Sequence, residues 1–159
     1  METGLLAYGA YLPVRRMQRA AVAKTHAWFN PGLKGLGKGE RTIANWDEDA
    51  VTMSVEAARN CLTGQDRDAI GAVWLASTSL PFKDRQNAGI VGDALSLKSD
   101  AMTLDVASSQ RAGTTALMAA LKGDAPALVV AADRRGARAG SPQEMTYGDG
   151  AAALLVGKG

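Results

Sequence analysis

Residues Leu104 to Leu117, Leu-Asp-Val-Ala-Ser-Ser-Gln-Arg-Ala-Gly-Thr-Thr-Ala-Leu, run from a strand-like stretch through a turn of small residues into an apolar helix. An α/β fold puts reactive groups at the carboxyl end of a strand, and a following helix offers unpaired N–H groups and a positive dipole end to a developing anion. The turn itself carries two hydroxyls, Ser108 and Ser109. Serine attacks only with an activating base, and the sole histidine, His26, lies beside Trp28 and Phe29 in a stretch where packing or a surface role is the simpler expectation. Helix capping is the simpler account of both serines. Cys61 falls on the apolar face of another predicted helix, where a thiol acts as a small buried hydrophobe. His26 and Cys61 are the only strong nitrogen and sulfur ligands and lie far apart, so no metal site is expected.

The elements that position this turn alternate. Residues 3 to 12 read as a strand ending at Pro13, which cannot donate to a ladder. From 13 to 44 the chain is rich in Lys, Arg and Gly, with Gly32, Gly35, Gly37 and Gly39 close together, and a loop or arm is expected. No strand feeds these glycines and no Gly-Lys-Ser/Thr follows them, which excludes a Walker-type phosphate cradle. The acidic run Asp47-Glu48-Asp49 suits a helix amino end, and Val51 to Leu62 supplies its apolar face. Strands are then expected over 70–76, 102–106, 127–132 and 151–156, and helices over 86–97 and 110–122. Continuous apolar strands between helices predict one α/β domain over 1–159, a mixed, mostly parallel five-stranded sheet covered by helices on both faces.

Five segments in order carry a family resemblance: the opening strand, Lys38-Gly39-Glu40-Arg41 with the helix after it, Leu75-Ala76-Ser77-Thr78-Ser79, Asp105 to Leu117, and Tyr147-Gly148-Asp149-Gly150-Ala151-Ala152. Together they resemble the amino-terminal half of the thiolase superfamily, particularly its hydroxymethylglutaryl-CoA synthase and 3-oxoacyl-ACP synthase III branches. The resemblance implies a thiolase-like half-fold, with the complete enzyme carrying a second, pseudo-symmetric half that supplies a histidine and an asparagine or second histidine. It places Gln110 at the position of the nucleophilic cysteine and Thr78 at the position of the glutamate general acid/base. An amide cannot carry an acyl group as a thioester, and a threonine hydroxyl has no useful acidity near neutral pH.

The resemblance therefore implies a protein that handles acyl-CoA or acyl-carrier thioesters as substrates, holds no covalent cofactor, and is inactive in condensation as this half. Two alternatives stay open: a decarboxylating or acyl-transferring relative that uses Gln110, and a non-catalytic assembly subunit. The expected partners are a second copy of the chain or a second thiolase-like half meeting the 110–122 helix, and an acyl-CoA-binding protein.

Composition bounds the remaining classes. The 159 residues are 47% hydrophobic, enough for one compact core. Eighteen basic and sixteen acidic residues leave a formal charge of +2, scattered along the chain, which argues against nucleic acid. Arg134, Arg135 and Arg138 form a small cluster read as a solvated loop, with the phosphates of CoA as the functional alternative. One cysteine, no signal-peptide pattern and no apolar run near membrane length predict a cytoplasmic protein that neither spans nor binds a membrane.

Overall fold

The computed structural model describes residues 3–159. Strand β1 (Thr3–Tyr11) leads past Pro13 into β2 (Arg15–Gln18), α1 (Arg19–His26), a 3-10 turn (Pro31–Leu36) and β3 (Glu40–Ile43). The region expected as a loop or arm is thus a folded excursion. β2 and β3 pair antiparallel as a separate two-stranded sheet, and Val22, Ala23, Leu33 and Met145 form a small core beneath it. Its glycines serve turns, Gly39 taking a φ of 79° just before β3.

Helix α2 (Ala50–Cys61) opens at Asp49, whose carboxylate accepts from the N–H groups of Val51 and Thr52 at 2.9 and 2.8 Å, while Thr52 Oγ1 accepts from the Asp49 N–H at 2.7 Å. This reciprocal cap satisfies N–H groups that the first turn leaves unpaired. Ala50, Met53, Ala57 and Cys61 recur on one face and are buried. They lie against β1 where Gly9 has no side chain; a Cβ there would stand 2.3 Å from the Cys61 nitrogen.

The remaining elements are β4 (Ala72–Ala76), α3 (Asn87–Ala94), β5 (Met102–Val106), α4 (Ala112–Leu121), β6 (Ala127–Asp133), α5 (Pro142–Thr146) and β7 (Gly150–Lys158). The main sheet runs β1-β7-β6-β4-β5. β4 is parallel to β5 and β6, and β7 is antiparallel to its neighbours β6 and β1, so one strand of the five is reversed. Helices cover both faces, as expected. Val73, Leu75, Leu128 and Val130 point toward α2 and α3, while Ala72, Ala76 and Val129 meet Ala112, Ala116 and Ala120 of α4. Burial on both faces is why β4 and β6 read as unbroken apolar runs.

Helix α4 starts at Ala112, two residues later than expected, which leaves Gln110 and Arg111 in the turn. Its apolar sides are not equivalent: Ala112, Ala116 and Ala120 are buried against the sheet, while Met118 is 54% exposed.

Candidate active site

A cavity of about 460 Å³ opens where the carboxyl ends of β4 and β6 meet the amino end of α4. Parallel neighbours bring their carboxyl ends to one edge of a sheet, and α4 starts there because β5 ends there. Thr78 and Gln110 both line this cavity. The other lining groups include Leu12, Thr42, Ser77, Ser109, Gly113, Asp133 and Asp149.

The turn between β5 and α4 is tightly wound. Ser108 holds a φ of 67°, in the left-handed region that side chains rarely adopt. Ser109 Oγ accepts from the Arg111 N–H at 3.1 Å and its carbonyl accepts from the Ala112 N–H at 3.0 Å. Ser109 therefore secures the turn, while Arg111 at the helix cap gives α4 no side-chain acceptor. Gln110 is exposed and its side chain has no hydrogen-bond partner among the described residues. Asp105 faces the other side of the sheet. Its carboxylate accepts from the Asn87 N–H at 2.8 Å, from Asn87 Nδ2 at 2.8 Å and from the Ala88 N–H at 2.7 Å, so it secures the start of α3.

Asp133 is the densest polar centre of the cavity and was not singled out from the sequence. Its Oδ1 accepts from Thr78 N–H at 2.7 Å, Thr78 Oγ1 at 3.0 Å, Ser77 Oγ at 3.0 Å and Ser79 Oγ at 2.9 Å. The signal for it was indirect: an aspartate ending an apolar strand and a Ser-Thr-Ser run ending another, which the β4–β6 ladder makes neighbours. Asp149, in the Gly-Asp-Gly turn, is buried and serves structure: Oδ2 accepts from the Ala44 N–H at 2.8 Å and its carbonyl from Thr42 Oγ1 at 2.6 Å, binding the end of β3 to the start of β7. Gly148 is required beside it, since a Cβ would lie 2.9 Å from Thr42 Oγ1.

The other candidates lie elsewhere. His26 is half-buried, 4.0 Å from Glu144 and edge-on to Phe29. Cys61 is buried under β1, and burial pushes its thiol up. Arg134 donates to the Glu48 carbonyl at 2.8 Å and Arg135 lies 4.0 Å over the Tyr147 ring, so two of the three loop arginines are engaged. Among the described residues no three His, Cys, Asp or Glu side chains gather where they could hold a metal ion, and no helix is long and apolar enough to cross a membrane.

No family model matches the chain. It is 33% identical to the hydroxymethylglutaryl-CoA synthase of Thermococcus gammatolerans over 163 residues, covering 98% of this chain and 45% of that protein. A solved HMG-CoA synthase complexed with CoA superposes with a TM-score of 0.88 at 27% identity, covering 99% of this chain and 42% of that one. The fold is thiolase-like, and the chain is a homologue of hydroxymethylglutaryl-CoA synthases. A 3-oxoacyl-(acyl-carrier-protein) synthase III shares the thiolase-like fold, with a TM-score of 0.86 at 22% identity, over all of this chain and 51% of that one. The chain thus spans under half the length of the two hydroxymethylglutaryl-CoA synthases and about half that of the synthase III. Its thiolase-like sheet delivers Gln110 and Thr78 to one cavity.

Proposed function

We propose that the chain binds acyl-CoA or acyl-carrier thioesters in the cavity at the amino end of α4 and does not condense them as these 159 residues. What carries this reading is the joint position of Gln110 and Thr78: the two residues that the family resemblance places at nucleophile and proton-transfer positions line one cavity, and neither has the chemistry those steps need. The similar synthase structure complexed with CoA supports the ligand class. The thioester carbonyl would lie toward α4, whose dipole and unpaired N–H groups favour negative charge. Gln110 can add one amide donor there. That unpaired side chain favours the second reading, a decarboxylating or acyl-transferring relative in which Gln110 steadies a developing oxyanion.

An assembly role rests on α4 and the sheet around it. Across the α4 side of the sheet the register sets Tyr8, Leu154, Val129, Trp74 and Leu104 in one row, and α4 covers only its middle. Tyr8 is 83% exposed and Leu104 41% exposed, and with Met118 they offer the apolar surface expected of an interface. A second copy of the chain is the proposed occupant, with another thiolase-like half as the alternative. The cytoplasm is the proposed compartment.

The deciding experiment combines titration with acetyl-CoA and acetoacetyl-CoA, an assay for released CoA, and intact mass after incubation of a Gln110→Cys variant with acetyl-CoA. Binding without CoA release by the wild type, and a single acetyl adduct on the variant, are expected. Turnover that survives Gln110→Ala would overturn the reading.

A further inference from the structure

The net charge of +2 is unevenly divided. Residues 13–44 hold seven of the eighteen basic residues and one acidic residue, Glu40, so this folded excursion carries +6, while the rest of the chain, with eleven basic and fifteen acidic residues, carries −4. Arg16 pairs with Glu40 at 3.7 Å, whereas Lys24, Lys34 and Lys38 are exposed and meet no carboxylate among the described residues. Unpaired cations gathered on one lobe make a positive field that a near-neutral total conceals.

The same lobe carries a groove. A cavity of about 410 Å³ lies between α1 and the 3-10 turn, lined by Ala20, Ala23, Lys24, Ala27, Lys34 and Gly37. The four α1 positions recur at helical spacing and share one face. Gly37 closes the opposite wall, where a Cβ would stand 3.6 Å from the Ala23 Cβ. The floor is therefore apolar and shallow, and Lys24 and Lys34 rise from its sides. Arg19 donates to the Lys38 carbonyl at 3.4 Å, which sets two more cations beside the end of the groove formed by Ala20 and Gly37.

We infer that this groove docks a helix of an acidic partner protein, whose narrow apolar stripe lies on the alanines while its flanking carboxylates meet Lys24 and Lys34. An apolar floor takes helix anchors spaced at i, i+3, i+4 and i+7, and charged walls select the residues beside them. A phosphate backbone would engage the cations and leave the floor empty. The inference stands apart from the thioester reading, because this groove shares no residue with the cavity that holds Gln110 and Thr78.

The test uses a labelled synthetic helical peptide with alanine and leucine in one stripe and glutamate on both sides of it, read by fluorescence anisotropy. Its affinity for the wild type should fall about tenfold as salt rises from about 50 to 300 mM. Lys24→Glu combined with Lys34→Glu should weaken binding about tenfold, and Ala20→Tyr, which fills the groove at an exposed position without changing charge, should do the same. A peptide of the same composition with its stripe scrambled should lose the same affinity on the wild type. Circular dichroism establishes that the variants are folded; should they fail to fold, the salt series and the scrambled peptide decide alone. Equal binding of the patterned and scrambled peptides, a DNA duplex that binds as tightly as the patterned peptide, or no binding at all overturns the inference. Displacement of the peptide by acetyl-CoA also overturns it, by assigning the lysines to the thioester, whereas an unchanged acetyl-CoA titration in the double lysine variant supports two separate sites.

Discussion

Tyr11 and Glu48 show how one side chain's partners set its titration. The Asn45 N–H, at 2.6 Å from Glu48 Oε2, and the Tyr11 hydroxyl both donate to the Glu48 carboxylate and hold it below the ordinary glutamate value, while the same contact holds the Tyr11 phenol above its own. A lowered carboxylate contributes stability above about pH 4.5, its ordinary value, and that contribution is lost as pH falls through the lowered one. The raised phenol contributes below about pH 10 and loses its contribution as pH rises through the raised value. Glu48→Gln should therefore melt below the wild type at neutral pH, and the gap should close in acid. Melting curves at pH 7 and pH 3 check this; a gap that widens in acid would contradict the assignment. Gln110, by contrast, meets no partner, and what it does depends on the ligand.

Asp105 belongs to the scale of elements, because one carboxylate on β5 holds the start of α3. Asn87 is almost wholly buried and donates two of its hydrogen bonds to this carboxylate. Asp105→Ala would leave the Asn87 and Ala88 N–H groups unpaired inside the protein, with the Phe82 carbonyl still accepting from Asn87 Nδ2, at a cost of about 3 kcal/mol. Denaturant unfolding measures the loss, and hydrogen exchange should locate its first effect in α3. A change under about 1 kcal/mol would mean that water or another side chain replaces the carboxylate. The aspartate before the turn is thus a structural residue.

At the scale of the whole molecule, the question is what meets the side of α4 that faces away from its own sheet. Ala116 and Ala120 are buried against β4 and β6, so lysine at either position would test internal packing. Met118 tests the outer face. Met118→Lys should leave the unfolding free energy of a dissociated chain within about 0.5 kcal/mol of the wild type's, since the site is exposed, yet shift the molecule from dimer to monomer at micromolar concentration. Sedimentation equilibrium reads this directly. A wild type that is already monomeric, with the variant unchanged in mass, would remove the second copy from the proposal.

Strands β4 and β6 were legible in the sequence because burial on both faces demands unbroken apolar runs, and those runs depend on nothing but the local residues. The amphipathic face of α2 and its acidic amino end were legible for the same local reason. β2 and β3 were not: Arg-Arg-Met-Gln and Glu-Arg-Thr-Ile are four residues each, largely polar, and become strands only by pairing with each other. The order of five family segments determined the fold and named Gln110 and Thr78, and their shared cavity followed only once β4 and the α4 turn stood at one edge of the sheet. Asp133 depended on tertiary structure altogether. Its neighbours in space are 54 to 56 positions away in the chain, so its meaning comes from the parallel β4–β6 ladder and from no pattern a single segment can carry.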